Sequence, residues 1–278
     1  MTTLVKFTTH SLGDTVGGMP AVEAYQEKIG GDVYVDCAWS QIVKDAYPRL
    51  FFTNQNYNFD QVVHINYHFD KPLQHGFAHD LGFQEWIYQR PKVSFKPGPR
   101  PISAKYVVVG VHTTAQCKYW NYPKGWETLC RELRKKGLLP VCVDQHETFG
   151  VAGSWNQVPV TAVKKLNNTI KGTMNFIHHA EFFLGVSSGL AWVAHAMGKR
   201  VVMISGVTEP WNEFEEDCVR VINREVCHGC FHKPKEYPFN AGDWNWCPVH
   251  KGTERAFECS KTITPERVMQ QIEEANWV

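Results

Sequence analysis

The sequence predicts an α/β protein built as two parallel-sheet domains facing a cleft, with a cysteine-rich insertion near the C-terminus. Three observations carry this reading. Strand-like apolar runs alternate with amphipathic helical stretches along most of the chain. The alternation stops at "RPKVSFKPGPRPIS" (90–103) and then restarts, as expected of a connection between domains. Four of the nine cysteines fall between 227 and 259. The pattern divides the chain into an N-terminal domain over 1–97 and a C-terminal domain over 98–278, the latter carrying the insertion over 225–260.

A chain of 278 residues with 43% hydrophobic residues can bury a large core. Lys+Arg 29 against Asp+Glu 28 leaves a formal charge of +1, which excludes a whole-molecule field steering the protein toward nucleic acid or membrane. The start "MTTLVKFTTHSLGD" lacks the apolar run of a signal peptide, and no stretch approaches the length of a spanning helix. The expectation is therefore a cytoplasmic protein with no membrane partner, in a compartment where thiols stay reduced.

The elements follow in order. "LVKFTT" (4–9) reads as a strand, "HSLGD" as a turn, and "MPAVEAYQEKIG" (19–30) as a helix with Pro20 in its first turn and glycines at its end. "DVYVDCA" (32–38) and "VVHINY" (62–67) read as strands, and "LGFQEWIYQR" (81–90) as an amphipathic helix. Pro91, Pro97, Pro99 and Pro101 then forbid helix interior and central strand. The second half runs through strand 106–112, helix 125–137, strand 139–144, helix 161–180, strand 181–186, helix 189–199 and strand 201–205. A terminal helix follows Thr264 as N-cap and Pro265 at the first position.

Three places carry candidate chemistry. In "SLGD" (11–14), Gly13 permits a tight turn at the carboxyl edge of a strand, where ligands bind in doubly wound sheets. Asp14 there either takes a proton from an acceptor hydroxyl or caps the next helix. In "VSSGLAW", Ser187, Ser188 and Gly189 form a small-residue turn into a helix, which suits either phosphate binding by free N–H groups or ordinary capping. His195 on that helix reads as a packed side chain. In "TTAQCKYW", Lys118 is placed to neutralise a diphosphate or to sit in solvent, with Thr114 in the same loop.

Cys227 and Cys230 form a C-x-x-C pair, followed by Cys247 and Cys259. Four thiolates so spaced can close a tetrahedral structural metal site, against the alternatives of two disulfides or free thiols. His228, His232 or His250 could replace one of them. Coordination chemistry alone names zinc. Cys37, Cys117, Cys130, Cys142 and Cys218 read as small buried apolar residues.

Taken together, "SLGDTVGGMPAVEAYQEKIGG", "TTAQCKYWNYPKGWETL", "GVSSGLAWVAHAMGKRVVMISGVTEPWNEF" and "CHGCF…DWNWCP" resemble, in order, the bacterial autotransporter protein O-heptosyltransferases. These are relatives of the lipopolysaccharide heptosyltransferases, in glycosyltransferase family 9, with the two-domain GT-B fold. The resemblance implies an acceptor-side N-terminal domain and a nucleotide-sugar-binding C-terminal domain. It also implies transfer of heptose from an ADP-activated donor, with inversion, to a protein hydroxyl. Residue by residue it puts the catalytic aspartate at Asp14 and the donor-phosphate lysine at Lys118. The donor site continues through Gly13, Thr114, Ser187, Ser188 and Gly189, and the resemblance implies iron, rather than zinc, on Cys227, Cys230, Cys247 and Cys259.

The family's protein-modifying members carry a sizeable segment before this motif, whereas ten residues precede Ser11 here, which opens the acceptor and any homo-oligomer to other readings. One alternative is a glycosyltransferase acting on hydroxymethylated bases in DNA, with Lys92, Lys96, Arg100 and Lys105 tracking the backbone. Another is a non-catalytic metal-finger binding protein.

Overall fold

The computed structural model describes residues 2–55, 57–151 and 153–278. Its first half is a four-stranded parallel sheet of β1 (Thr2–Phe7), β2 (Asp32–Asp36), β3 (Phe51–Phe52) and β4 (Gln61–Ile65), in the order β3-β2-β1-β4. Val5 sits between Val35 and Val63 in register, so the central strand is buried on both faces. Three helices belong to this half: α1 (Leu12–Ile29), the short α2 (Ser40–Val43) and α3 (Leu73–Asp80).

The second half is a six-stranded parallel sheet. Its strands are β5 (Tyr106–Gly110), β6 (Leu139–Cys142), β9 (Val163–Lys164), β10 (Phe183–Val186), β11 (Val201–Ile204) and β12 (Cys218–Val221). Their order is β12-β11-β10-β5-β6-β9. A separate antiparallel hairpin joins β7 (Thr148–Val151) to β8 (Ser154–Gln157). The remaining helices are α4 (Gly125–Lys135), α5 (Ile170–His179), α6 (Gly189–Ala196), α7 (Glu258–Lys261) and α8 (Pro265–Glu274). No helix among the described residues is long and apolar enough to cross a membrane.

The strand orders explain where a site can form. In the first sheet the chain winds outward from β1 to β2 and β3, then returns to β4 on the other side of β1; in the second it switches between β5 and β10. At each switch the loops leaving the carboxyl ends diverge and open a crevice. The segments leaving β1, β4, β5 and β10 hold Asp14, Tyr67, Lys118 and Ser187, respectively.

Three expectations are corrected. The first helix begins at Leu12, not at 19, because Ser11 caps it through an Oγ that accepts the Asp14 N–H at 3.4 Å. Pro20 is therefore interior. Gly17 and Gly18 are poor helix formers, yet they are helical because the helix must lie close to its neighbours. A Cβ on Gly18 would stand 2.7 Å from the Phe7 ring, and one on Gly17 2.5 Å from Leu73. The helix expected over 81–90 lies instead at 73–80. Gly82, at φ +80°, ends it, and buried Gln74 ties the next segment into a loop by bonding the Gln89 carbonyl (2.7 Å), the Gln89 N–H and the Trp86 indole (both 3.0 Å). The helix expected over 161–180 begins only at Ile170, capped by Thr169. Upstream, Val163 pairs with Val141 as an edge strand and Asn167 turns at φ +56°.

One apolar cluster runs through both halves, from Val5, Phe7 and Met19 to Ala191, Trp192 and Val193. The contact is closest where the starts of α1 and α6 meet. A Cβ on Gly189 would lie 2.7 Å from Leu12 Cβ and 2.9 Å from the backbone nitrogen of Gly13. Backbone cannot swing aside as a side-chain tip can. Gly189→Ala should therefore lower stability by about 1–3 kcal/mol, measured as the shift in the chemical denaturation midpoint; an unchanged midpoint would mean that the two helix starts are not held together.

Candidate active site

A cleft of about 730 Å³ opens over the two switch points and is lined from both halves. Its walls include every residue that the sequence nominated for catalysis or donor binding: Gly13, Asp14, Thr114, Lys118, Ser187, Ser188 and Gly189. They come from three segments far apart in sequence, those after β1, β5 and β10, and only the topology brings them together.

Asp14 is the third residue of α1, near the positive end of the helix. Thr9 Oγ1 donates to its Oδ2 at 2.7 Å. Burial is the largest influence on its carboxyl group and pushes the pKa above the ordinary carboxylate value, while the Thr9 bond and the Lys118 charge oppose that rise. A carboxylate so placed is a stronger base than a solvated one, and it keeps one oxygen oriented by a hydroxyl.

Lys118 ends a short 3₁₀ turn, Gln116–Lys118, that follows the loop after β5. Among the described residues it has no salt-bridge partner. That loop is set from below by buried Asp144, whose oxygens accept the N–H groups of Val111 (2.8 Å) and His112 (3.1 Å). Ser187 Oγ donates to the buried carboxylate of Glu213, which also faces Arg220 Nη1 at 2.9 Å. Ser188 occupies the N-cap of α6, but its side chain makes no capping bond, so the first turn of α6 keeps its hydrogen-bonding capacity at the cleft.

Sequence reasoning passed over several lining residues. Tyr67 reaches across from the first half and donates to Asn212 Oδ1 at 2.9 Å, and burial holds its phenol far above the usual range, so it remains a donor. Asn212 and Glu213 lie within the quoted "TEPWNEF", whose density of polar residues in an apolar context was the available signal. Phe231, directly after Cys230, also faces the cleft. His195 does not: it is fully buried, stacked on Phe214 at 3.9 Å, hydrogen-bonded to Tyr88 at 2.6 Å, and burial depresses its pKa to about 3.

The cysteines of the insertion lie outside the cleft lining, on three segments that meet. Gly229 N–H bonds the Gly206 carbonyl (3.0 Å), and Gly206 packs so closely on Cys259 that a Cβ would fall 2.7 Å from its carbonyl oxygen. Cys247 Sγ accepts the Phe257 N–H at 3.4 Å, and the Cys227 N–H points to Glu258 Oε1 at the same distance. Cys227 Sγ, His250 Nε2 and a Glu258 oxygen also lie within 4.8 Å of one another.

Two parallel sheets with their switch points facing one cleft, an activated carboxylate on one side and a lysine and helix start on the other, define an α/β glycosyltransferase of the GT-B kind. The sequence profile of glycosyltransferase family 9 (heptosyltransferase) matches residues 36–239. The autotransporter heptosyltransferase Aah of Escherichia coli is 31% identical over 285 residues, covering 95% of this chain and 72% of the relative. The chain belongs to glycosyltransferase family 9 and is a glycosyltransferase.

Two solved structures of TibC from enterotoxigenic E. coli superpose with a TM-score of 0.92 and 27% and 26% identity, over 99% of this chain and 76% and 77% of theirs. One is described as an iron-containing dodecameric glycosyltransferase, the other as a complex with ADP-D-beta-D-heptose. The inactive autotransporter heptosyltransferase BimC of Burkholderia thailandensis is 32% identical over 66% of this chain and 43% of its own length.

The Asp14 environment makes a direct prediction. Thr9→Val removes the hydroxyl that stabilises the carboxylate, so the Asp14 pKa, already raised by burial, should rise further. Carboxyl-carbon NMR titration reads this; a downward shift would mean that Thr9 does not hold the ionised form.

Proposed function

We propose that this glycosyltransferase moves heptose from ADP-heptose, with inversion, to a hydroxyl on a protein of the autotransporter class. The observation that carries the reading is the single cleft that joins Asp14, Lys118 and the start of α6. Asp14 takes the acceptor hydroxyl's proton as the acceptor oxygen bonds to the anomeric carbon from the face opposite the diphosphate. The bond to the diphosphate oxygen breaks, and the electron pair leaves with ADP. Lys118, Thr114 and the N–H groups from Ser188 and Gly189 meet that developing charge, and Gly13 leaves room for the backbone approach. The domain limits 1–97 and 98–278 accord with this division of labour, the first offering the base and the second the donor contacts.

DNA is disfavoured as the acceptor. A formal charge of +1 supplies no general attraction to a polyanion, and Lys92 is already paired with Glu23 at 2.7 Å. A homo-oligomer like that described for TibC and a cytoplasmic location, where the cysteines stay free as they are here, complete the proposal.

The thiols of the insertion suit a metal by their chemistry; among the described residues the ligand groups of this segment that already lie within 4.8 Å of one another are Cys227, His250 and Glu258, while no three of the four cysteine sulfurs come that close. Cys227, Cys230, Cys247 and Cys259 sit on segments hydrogen-bonded to one another around Gly206 and Glu258, and they would hold iron as a closed structural site. Bound there, the metal would supply folding energy to a segment of short 3₁₀ and helical turns, and no reaction step passes through it. Cys227→Ser or Cys247→Ser should lower iron content and thermal midpoint together. Elemental analysis of the purified protein decides this, and stoichiometric zinc in place of iron would correct the metal.

Asp14→Asn should keep the fold and reduce transfer from ADP-heptose to an autotransporter fragment by roughly a hundred- to ten-thousand-fold. Parental turnover by this variant would reduce Asp14 to a helix-start residue. Transfer by the parent to hydroxymethylcytosine DNA but not to protein would overturn the acceptor while leaving the chemistry in place.

A further inference from the structure

The cysteine-bearing segment does more than pack against its own half. Phe231 is 6% exposed and lies at the centre of an aromatic cluster, with ring centroids 4.8 Å from Phe69, 5.8 Å from Tyr67 and 4.9 Å from Phe239. Tyr67 and Phe69 belong to the loop after β4, in the other half of the molecule. The next residue, His232, donates from Nδ1 to the Phe69 carbonyl at 2.8 Å. The Phe231 ring is thus clamped by both halves, and it forms part of the cleft wall.

Lys118 Nζ stands 4.9 Å from the centroid of this ring. A lysine stem has four rotatable carbons, so its ammonium needs something to hold it in place. A carboxylate would do so at the cost of neutralising the charge and competing with a diphosphate for the same N–H donors. An aromatic face attracts the cation through its quadrupole while leaving the charge and the donors free. Among the described residues no carboxylate lies within salt-bridge distance of Lys118; the Asp14 charge acts on it from farther off, and the ring is a direct contact that its ammonium makes.

We propose that Phe231 is a positioning residue for Lys118, holding its ammonium toward the donor diphosphate without neutralising it. The inference rests on the reading of Lys118 as a donor-phosphate lysine. It links the cysteine segment to donor binding through one side chain: the Phe231 N–H bond to the Val207 carbonyl (3.1 Å) fixes the backbone, the loop 67–69 fixes the ring, and the ring fixes the cation.

The experiment is ADP binding to the full chain by titration calorimetry, with bound metal quantified for each variant. Phe231→Leu should weaken ADP binding by about three- to tenfold, the worth of a partly desolvated cation–π contact. Phe231→Trp, which keeps a π face, should stay near the parent. Phe231→Met conserves volume without a ring and should behave like the leucine variant, so it serves if leucine disturbs the segment. In a Lys118→Ala background, Phe231→Leu should add no further loss. Parental ADP affinity in both Phe231→Leu and Phe231→Met would overturn the inference, as would an equal loss with and without Lys118, which would show the ring acting through the fold. Lys118→Ala with parental affinity would sink the donor-site reading itself; Lys118→Ala weakened beside unaffected Phe231 variants would sink only the role of the ring.

Discussion

The structure depends on the contact between two helix starts. Gly13 on α1 and Gly189 on α6 meet where a methyl group added to Gly189 would stand 2.9 Å from the Gly13 backbone nitrogen and one added to Gly13 would press on the Trp192 ring at 3.1 Å. Because neither has a side chain, the two sheets come close enough for their switch points to share one cleft. Trp192 packs one helical turn further along, against Gly13, Gly17 and Phe214, and continues the apolar cluster from one half into the other. Interiors transmit displacement because they are close-packed, so this contact sets the distance between Asp14 and the second-half residues that line the cleft.

Within that frame the electrostatics divide by half. The first half supplies a carboxylate made more basic by burial, with one hydroxyl holding it. The second supplies positive potential: a lysine whose charge acts on the Asp14 carboxylate, and a helix start whose capping side chain is unengaged. The acids of the second half that approach the cleft are already occupied, Asp144 by two backbone N–H groups and Glu213 by Ser187 and Arg220.

The cysteine segment shows how one insertion can serve two ends. Its backbone is tied to Gly206 and Glu258 near the outer face, while Phe231 and His232 reach the loop of the opposite half. The segment is short of regular structure, having only a 3₁₀ turn at Cys230–His232 before α7, so cross-links of some kind suit it better than a core of its own. Its aromatics, Phe231, Phe239 and Trp246, pack with Cys117 and Cys230 in a small separate cluster.

Much of this was legible in the sequence. The alternation of strands and helices, the proline-rich break and the terminal helix capped by Thr264 follow from local rules, because apolar period, proline geometry and capping act over a few residues. The cleft residues were legible only as candidates, since a small residue or a charge at a strand end can equally cap a helix or sit in solvent, and the family resemblance favoured Asp14, Lys118 and the turn 187–189. Tertiary contacts decided the rest. Gly17 and Gly18 are helical because of what they pack against; Gln74 holds 81–90 as a loop from a distance; Val163 joins an edge strand through Val141. Tyr67, Asn212 and Phe231 entered the site through neighbours distant in the chain, as the Tyr67–Asn212 bond across 145 residues and the Lys118–Phe231 contact show. Local sequence determines which conformations a segment can adopt, and the chain-spanning packing of α1 on α6 decides which side chains share a cleft, because proximity between distant segments is a property of topology and of the space that glycine leaves open.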